Sequence, residues 1–256
     1  MTGTGKVLVE RDQGVMTITI SRPEVRNAID EQTAHGLAAA LEELDPEPAL
    51  VAAVLTGAGG TFCSGMDLKA FLAGQRPSTD RRGFAGIVER PPAKPIIAAV
   101  EGAAVAGGFE VALACDLIIA AENARFGLPE VKRGLVAAGG GLLRLPRRVP
   151  YHLAMEWALT GDYITAERAA QVGLVNRLVA PGTAAAQAAA LARVIAANGP
   201  LAVAAAKRII VESADWPIAE QFARQRAISE PVRASQDARE GALAFREKRP
   251  PRWQGR

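Results

Sequence analysis

Residues Ile96 to Glu130 read IIAAVEGAAVAGGFEVALACDLIIAAENARFGLPE, and the breaks in this stretch decide the fold. Ile96 to Val100 is an apolar run closed by Glu101-Gly102, which predicts a buried strand. Gly108 to Ala114 is short and alanine-rich and predicts a helix, and Leu117 to Ala120 returns to strand. Two carboxylates punctuate the stretch. Glu110 ends Ala106-Gly107-Gly108-Phe109-Glu110 and Glu130 ends Phe126-Gly127-Leu128-Pro129-Glu130, each after a bend marked by glycine or proline. A carboxylate is costly to bury, and burial raises its pKa. Two of them flanking one apolar segment suggest proton chemistry; two solvated loop glutamates are the plainer alternative.

Upstream, Val7–Glu10 and Val15–Ile20 read as strands around the turn Asp12-Gln13-Gly14. Asp30 can cap a helix running to Leu44, with Ala34, Leu37, Ala38, Leu41 and Leu44 as its apolar stripe. Leu50–Thr56 reads as a buried strand, followed by the loop Thr56-Gly57-Ala58-Gly59-Gly60. Strand, strand and helix thus recur through the first two-thirds. From Tyr151 onward the pattern is helical, over Leu153–Leu159, Ala166–Val172, Thr183–Ala197, Leu201–Glu212, Pro217–Glu230 and Ser235–Lys248, with Leu174–Val179 as the one strand. This order predicts a strand-helix core followed by a helical region. Pro250–Arg256 is basic and contains Trp253, as either a frayed tail or a segment packed on a neighbour.

A length of 256 residues suits one sizeable core or two modest ones, and the 49% hydrophobic content is that of a globular protein. Net charge is +3, and no basic run is interleaved with aromatics, so nucleic acid is not an expected partner. Cys63 and Cys115 sit among small or apolar residues and read as buried free thiols of a reducing compartment. Met1 to Lys6 has no apolar segment behind it, and the most apolar stretch, Ile96 to Ala114, is interrupted by Glu101, paired glycines and Glu110. The expectation is a cytoplasmic protein without a membrane span.

Several chemistries drop out. Neither Gly57–Gly60 nor Ala138-Gly139-Gly140-Gly141 is followed by Lys-Ser/Thr, and no G-x-G-x-x-G opens a helix, so both read as turns. Ser64 is not in a G-x-S-x-G elbow, and the two histidines, His35 and His152, are isolated, which speaks against a serine triad and a zinc site. Gly65-Met66 and Gly107-Gly108 are better candidates. Each follows an expected strand and can turn backbone N–H groups into a cleft, as an oxyanion hole requires.

Taken in order, Arg22-Pro23 with Asn27-Ala28, Phe62-Cys63-Ser64-Gly65-Met66-Asp67-Leu68-Lys69, Ala106–Glu110, Cys115-Asp116-Leu117, Phe126–Glu130 and Leu159-Thr160-Gly161 resemble the enoyl-CoA hydratase/isomerase superfamily nearly end to end. Phe245-Arg246-Glu247-Lys248-Arg249 is similar to that family's C-terminal acyl-CoA-contacting segment. Phe109-Glu110 and Leu128–Lys132 look closest to its carnitinyl-CoA dehydratase-like branch. One departure is Ala137-Ala138, where many hydratases carry Pro-Gly.

The resemblance implies an α/β crotonase fold: a spiral of ββα units over residues 1–195, then a helical oligomerisation region over 196–256 that builds a homotrimer or a dimer of trimers. It implies a coenzyme A thioester substrate, with CoA part of the substrate and no separate cofactor or metal. By position, Met66 and Gly107 would hold the thioester oxygen through backbone N–H groups, Glu110 would be the base on water, and Glu130 the acid at the α-carbon. Arg26 and Ala28 would border the nucleotide. Ser64, Met66, Asp67, Leu68 and Lys69 would line the adenine and pantetheine, and Phe245 and Lys248 would add contacts, offered to a neighbouring subunit. Arg26, Lys69 and Lys248 also read as plain surface charges. The implied activity is enoyl-CoA hydration. A carnitinyl-CoA-type dehydratase or an enoyl-CoA isomerase is the alternative among enzymes, and an acyl-CoA-binding pseudoenzyme is the alternative outside them. Phe71 through Phe84 would form a mobile lid.

Overall fold

The structure is a computed structural model that describes residues 2–3 and 5–256. Its strands are β1 (Thr2–Gly3), β2 (Val7–Asp12), β3 (Val15–Ile20), β4 (Ala52–Gly57), β5 (Ser78–Thr79), β6 (Gly83–Phe84), β7 (Ile96–Val100), β8 (Ala103–Val105), β9 (Leu117–Ala121), β10 (Arg125–Gly127), β11 (Ile164–Thr165) and β12 (Arg177–Val179). The helices are α1 (Glu31–Leu44), α2 (Leu68–Leu72), α3 (Gly107–Ala114), α4 (Gly141–Arg144), α5 (Tyr151–Thr160), α6 (Ala166–Gln171), α7 (Ala184–Ala196), α8 (Pro200–Ser213), α9 (Gln221–Arg233) and α10 (Gln236–Glu247).

The chain winds between two sheets. The larger runs β1-β2-β3-β4-β7-β9-β12, antiparallel at β1/β2 and β2/β3 and parallel from β3 onward. The smaller runs β11-β10-β8, and Cys63 extends it by a parallel bridge to Ala104. Each winding sends one strand to each sheet: β4 then Cys63, β7 then β8, β9 then β10. The short partners β8 and β10 are three residues each and lie beyond the breaks at Glu101-Gly102 and Glu122–Ala124. The sequence reading ended its strands at those breaks.

At β4, β7 and β9 the larger sheet is buried on both faces, so these strands read as continuous apolar runs. Alternation still sorts them. Ala53, Leu55, Ile96, Ala98 and Val100 join the main core with Phe62, Phe109 and Phe126. Val54, Ile97, Ala99 and Ile119 face the opposite way, onto Ala184, Ala188 and Ala192 of α7. Those alanines recur every fourth residue and let α7 lie close against the strands. All five residues of the anticipated α1 stripe are buried, and Asp30 caps the helix through a 2.8 Å bond from Thr33 N. Each fully buried leucine of that stripe contributes about 1.5–3 kcal/mol.

Three readings of the C-terminal third are corrected. The strand expected over Leu174–Val179 is only Arg177–Val179; Leu174 and Val175 are buried in the turn before it. The helix expected from Pro217 starts at Gln221 after a 3-10 turn and runs through Pro231 to Arg233. Pro250–Arg256 is bound to its own chain. Trp253 Nε1 donates to Ala197 O at 2.8 Å, the amides of Gln254 and Gly255 donate to the Asp237 carboxylate, and Asp237 N donates to Arg256 O. Cys63 and Cys115 are buried free thiols, and burial pushes both up to about 12. His35 and His152 are exposed. Among the described residues no single helix is long and apolar enough to cross a membrane.

Candidate active site

The first half of the site is backbone. Ile29 and Met66 form an isolated parallel bridge in which Ile29 N donates to Gly65 O at 2.8 Å and Asp67 N donates to Ile29 O at 2.9 Å. That register uses the amides on either side and leaves Met66 N–H with no acceptor among the described residues. α3 opens at Gly107 with no side-chain cap, so its first amide is also open. The preceding residue, Ala106, is held at φ 51° and ψ −131°. Gly65 has φ +96°, and a Cβ there would stand 3.0 Å from Gly107 N. The Gly65-Met66 turn therefore lies directly against the start of α3. Gly108 has no room for a Cβ because the Cys63 carbonyl occupies that space. A Cβ on Gly107 would stand 2.6 Å from the ring of Phe84.

The second half is acidic. Glu110, 4% exposed, sits in the first turn of α3. Its Oε1 accepts the amide of Gly141 at 2.9 Å, and the nearby Gly139 amide also favours the charged carboxylate. Burial pushes Glu110 up to about 7; the charge of Glu130 adds to the rise, while the two amides and Arg144 oppose it. The effect of the Glu130 charge on Glu110 puts Glu130 within its electrostatic reach. Glu130 stands on the 3-10 turn Pro129–Arg133, where burial also raises its pKa, opposed by its own backbone amide and by Arg133. Its Oε2 is buried without a hydrogen-bond partner.

The structure brings together Glu110, Glu130, Gly107 and Met66, and sets Ser64 beside Arg26. Ser64 N donates to Arg26 O at 3.1 Å and Ser64 Oγ to Val25 O at 3.4 Å. Arg26 is exposed with a left-handed backbone, and Ala28 is buried. Asp67 has structural employment: it caps α2 by accepting from Lys69 N and Ala70 N, and it pairs with Arg22 at 2.9 Å. Leu68 and Lys69 begin α2 and are exposed. Phe245 and Lys248 lie at the end of α10, exposed, and no hydrogen bond or ion pair among the described residues links them to this cleft.

Five contributors had no role assigned from the sequence. Gly139 and Gly141 were read as a turn, yet they wrap Glu110; a Cβ on Gly139 would stand 2.6 Å from Oε2, and one on Gly141 3.0 Å from Cγ. Arg144 was given no role by the sequence and is partly buried near Glu110. Phe84, the last residue of the expected lid, packs on Gly107. Arg22, buried, ties Asp67, Asp30 and Ala28 O together under the Met66 turn. The triple glycine was the one usable signal, because a run that is neither phosphate loop nor hairpin needs another reason to be so small.

Comparison with known proteins adds the following. The sequence model of the family described as enoyl-CoA hydratase/isomerase matches residues 10–256. The enoyl-CoA hydratase EchA19 of Mycobacterium tuberculosis is 43% identical, over 97% of this chain and 96% of its own. The carnitinyl-CoA dehydratase of Salmonella arizonae is 44% identical, over 96% of this chain and 97% of its own. The crystal structure of the enoyl-CoA hydratase EchA1 of Mycobacterium marinum is 57% identical with a TM-score of 0.97, covering 99% of this chain and all of that one.

Proposed function

The chain belongs to the enoyl-CoA hydratase/isomerase family, and from that premise we propose that it adds water reversibly to a 2-enoyl-CoA, giving the 3-hydroxyacyl-CoA. It is an enzyme of the hydro-lyase type, in the branch that includes hydratases and carnitinyl-CoA dehydratases. In the proposed step Glu110 takes a proton from water as its oxygen bonds to C3. The double-bond electrons move toward the thioester, whose oxygen gains negative charge between the amides of Met66 and Gly107. Glu130 then gives its proton to C2. One proton moves from Glu130 to Glu110 by way of water and substrate, and the reverse dehydration uses the same groups.

The observation that carries this reading is the unequal dress of the two carboxyls. Burial raises Glu110 to about 7, and the Gly141 amide donated to Oε1 works against that rise, toward the ionised form a base needs. Glu130 leaves Oε2 buried and unpartnered, which favours the protonated form an acid needs. Carboxyls whose environments differ in this way divide acid and base roles and titrate as a pair. Each preorganised amide at the oxyanion is worth about 2.7–4 kcal/mol, and the acid-base pair roughly 10²–10⁴-fold. The opening of α3 adds the positive end of its dipole.

A spectrophotometric assay with crotonyl-CoA tests the reading. Wild-type protein hydrates it, and Glu110→Gln and Glu130→Gln each lose hydration by about 10²-fold or more. An unaffected variant removes that glutamate's role. Thermal protection by CoA thioesters without turnover supports the binding-protein alternative. A carnitinyl-CoA-type dehydratase uses the same chemistry on another acyl group, and a panel of acyl-CoA substrates decides between them. An isomerase can operate with one glutamate, so the pair favours hydration.

The same proposal keeps Arg26, Ala28, Ser64, Leu68 and Lys69 along the CoA moiety. It treats residues 196–256 as an oligomerisation region that brings Phe245 and Lys248 to a neighbouring cleft. Ile210 and Phe222 are 73% and 72% exposed in the single chain, which supports burial against another copy. Light scattering that gives a trimer or hexamer supports this; a monomer at micromolar concentration contradicts it. The cytoplasm is the proposed location, with no bound cofactor beyond the substrate's own CoA.

A further inference from the structure

We propose that Arg144 is a positioning residue for Glu110: it anchors the Gly139–Gly141 turn that grips the carboxylate and sets a fixed positive charge beside it. This rests on Glu110 being the base proposed above. Arg144 ends α4, one helical turn after Gly141, and its amide donates to Gly140 O at 3.0 Å. Its side chain folds back beneath that turn. Nη1 fills the space where a Cβ on Gly140 would stand, so the glycine and the guanidinium need each other's shape. Nη2 donates to Val88 O, on the segment whose Phe84 packs against Gly107. One cation therefore joins the segment behind the thioester cradle to the turn that supplies amides to Glu110.

The charges around this group come from four elements. On α3 and just beyond it are Glu110, Asp116 and the neutral thiol of Cys115, and on the 3-10 turn are Glu130 and Arg133. Arg148, one turn past Arg144, donates to Cys115 O at 3.0 Å, and Lys207 of α8 pairs with Asp116 at 2.6 Å. Arg148 and Lys207 are thus occupied at the far end of α3. Arg144 is the cation whose charge acts on Glu110 and opposes the rise in its pKa. Its side-chain hydrogen bond is to a carbonyl, and among the described residues its charge is not spent on an ion pair.

The test compares Arg144→Gln, which keeps a donor for Val88 O, with Arg144→Lys, which keeps the charge. Two readouts are taken. One is the titration of the Glu110 carboxyl in unliganded protein by ¹³C NMR, assigned by its loss in Glu110→Gln. The other is the pH profile of kcat with crotonyl-CoA. In Arg144→Gln both the titration midpoint and the acidic limb of kcat move up by about one pH unit, the lower end of what an opposite charge does. In Arg144→Lys the midpoint stays close to wild type while kcat falls, because one nitrogen cannot both reach Val88 O and fill the space under Gly140. A Gln variant that loses activity equally at every pH, with the midpoint unmoved, overturns the proposal. If that variant does not fold, Arg144→Lys decides alone: wild-type kcat at every pH overturns the anchor. Absence of hydration in the wild type would sink the functional reading, while the NMR titration would still decide the role of Arg144.

Discussion

Gly141 and Glu110, thirty-one residues apart in the chain, meet through a 2.9 Å hydrogen bond from the glycine amide to Oε1. The bond fixes the carboxylate in one orientation, and the missing side chains at Gly139 and Gly141 make room for it.

Alanine at position 139 should therefore damage turnover more than folding. Its Cβ would stand 2.6 Å from Glu110 Oε2, the movable end of a side chain, so the carboxylate swings aside and the backbone stays. A displacement near 1 Å at a reacting group can cost about 10²-fold. We expect Gly139→Ala to lower kcat by roughly 10- to 100-fold while its thermal midpoint stays close to wild type. A normal kcat would show that the grip on Glu110 is not needed.

Stability should fall with rising pH because of the same glutamate. Burial pushes Glu110 from its ordinary 4.5 to about 7. Below 4.5 the group is neutral whether the chain is folded or not, and its contribution is fully present. As pH climbs through 7 the folded protein must ionise a buried carboxyl, and that contribution, about 3 kcal/mol at most, is lost. Urea unfolding at pH 5 and pH 8 should show Glu110→Gln gaining on the wild type toward the higher pH. Asp30 has the opposite sign. Despite the opposing effect of burial, Lys6, Thr33 and Arg22 bring it to about 2, so its contribution is present above 3.8 and lost as pH falls through 2. The two windows do not overlap.

Gly107 and Phe84 should be coupled. A Cβ at 107 would stand 2.6 Å from the ring. The ring has little freedom to retreat, because β5 and β6 pair around it and Gly86 is pressed on the α1 backbone. Gly107→Ala should reduce hydration by about 10²–10³-fold, the loss expected for one oxyanion donor, and should destabilise the fold. Adding Phe84→Ala should restore part of the stability. Additive losses in the double variant would show that the two positions do not touch.

Asp237→Ala should loosen the C-terminal segment, since the carboxylate accepts the amides of Gln254 at 2.7 Å and Gly255 at 2.9 Å. Bonds to a charged group contribute about 1.5–3 kcal/mol each, net of exchange with water. Faster hydrogen exchange at the Trp253 indole, which donates to Ala197 O, is the expected signature. Unchanged exchange would mean that the ring is held by packing alone.

Much of the fold could be read from residues alone wherever a pattern had length. α1 carried a capped, fourteen-residue amphipathic stripe, and β7 and β9 were apolar runs. β8 and β10 are three residues each, too short for periodicity to register, and they exist because they pair with each other. Glu110 and Glu130 stood out because a bend precedes each one. The turn at Gly139–Gly141 did not declare its purpose, since a glycine says that space is scarce but not which side chain occupies it. Arg144 went unassigned because nothing in the adjacent sequence reveals a carbonyl fifty-six residues away.

Because every winding of the chain adds one strand to each sheet, the cleft is collected from successive coils. In the proposed mechanism the thioester cradle needs only the coils that carry Met66 and Gly107. The proposed proton relay waits for Glu130, and Glu110 gains the Gly141 amide only when the chain reaches that residue. A nascent chain that has emerged as far as α3 thus holds half an active centre. Return of turnover after dilution from denaturant should lag behind the recovery of helix signal, making catalysis itself the reporter of the final coil.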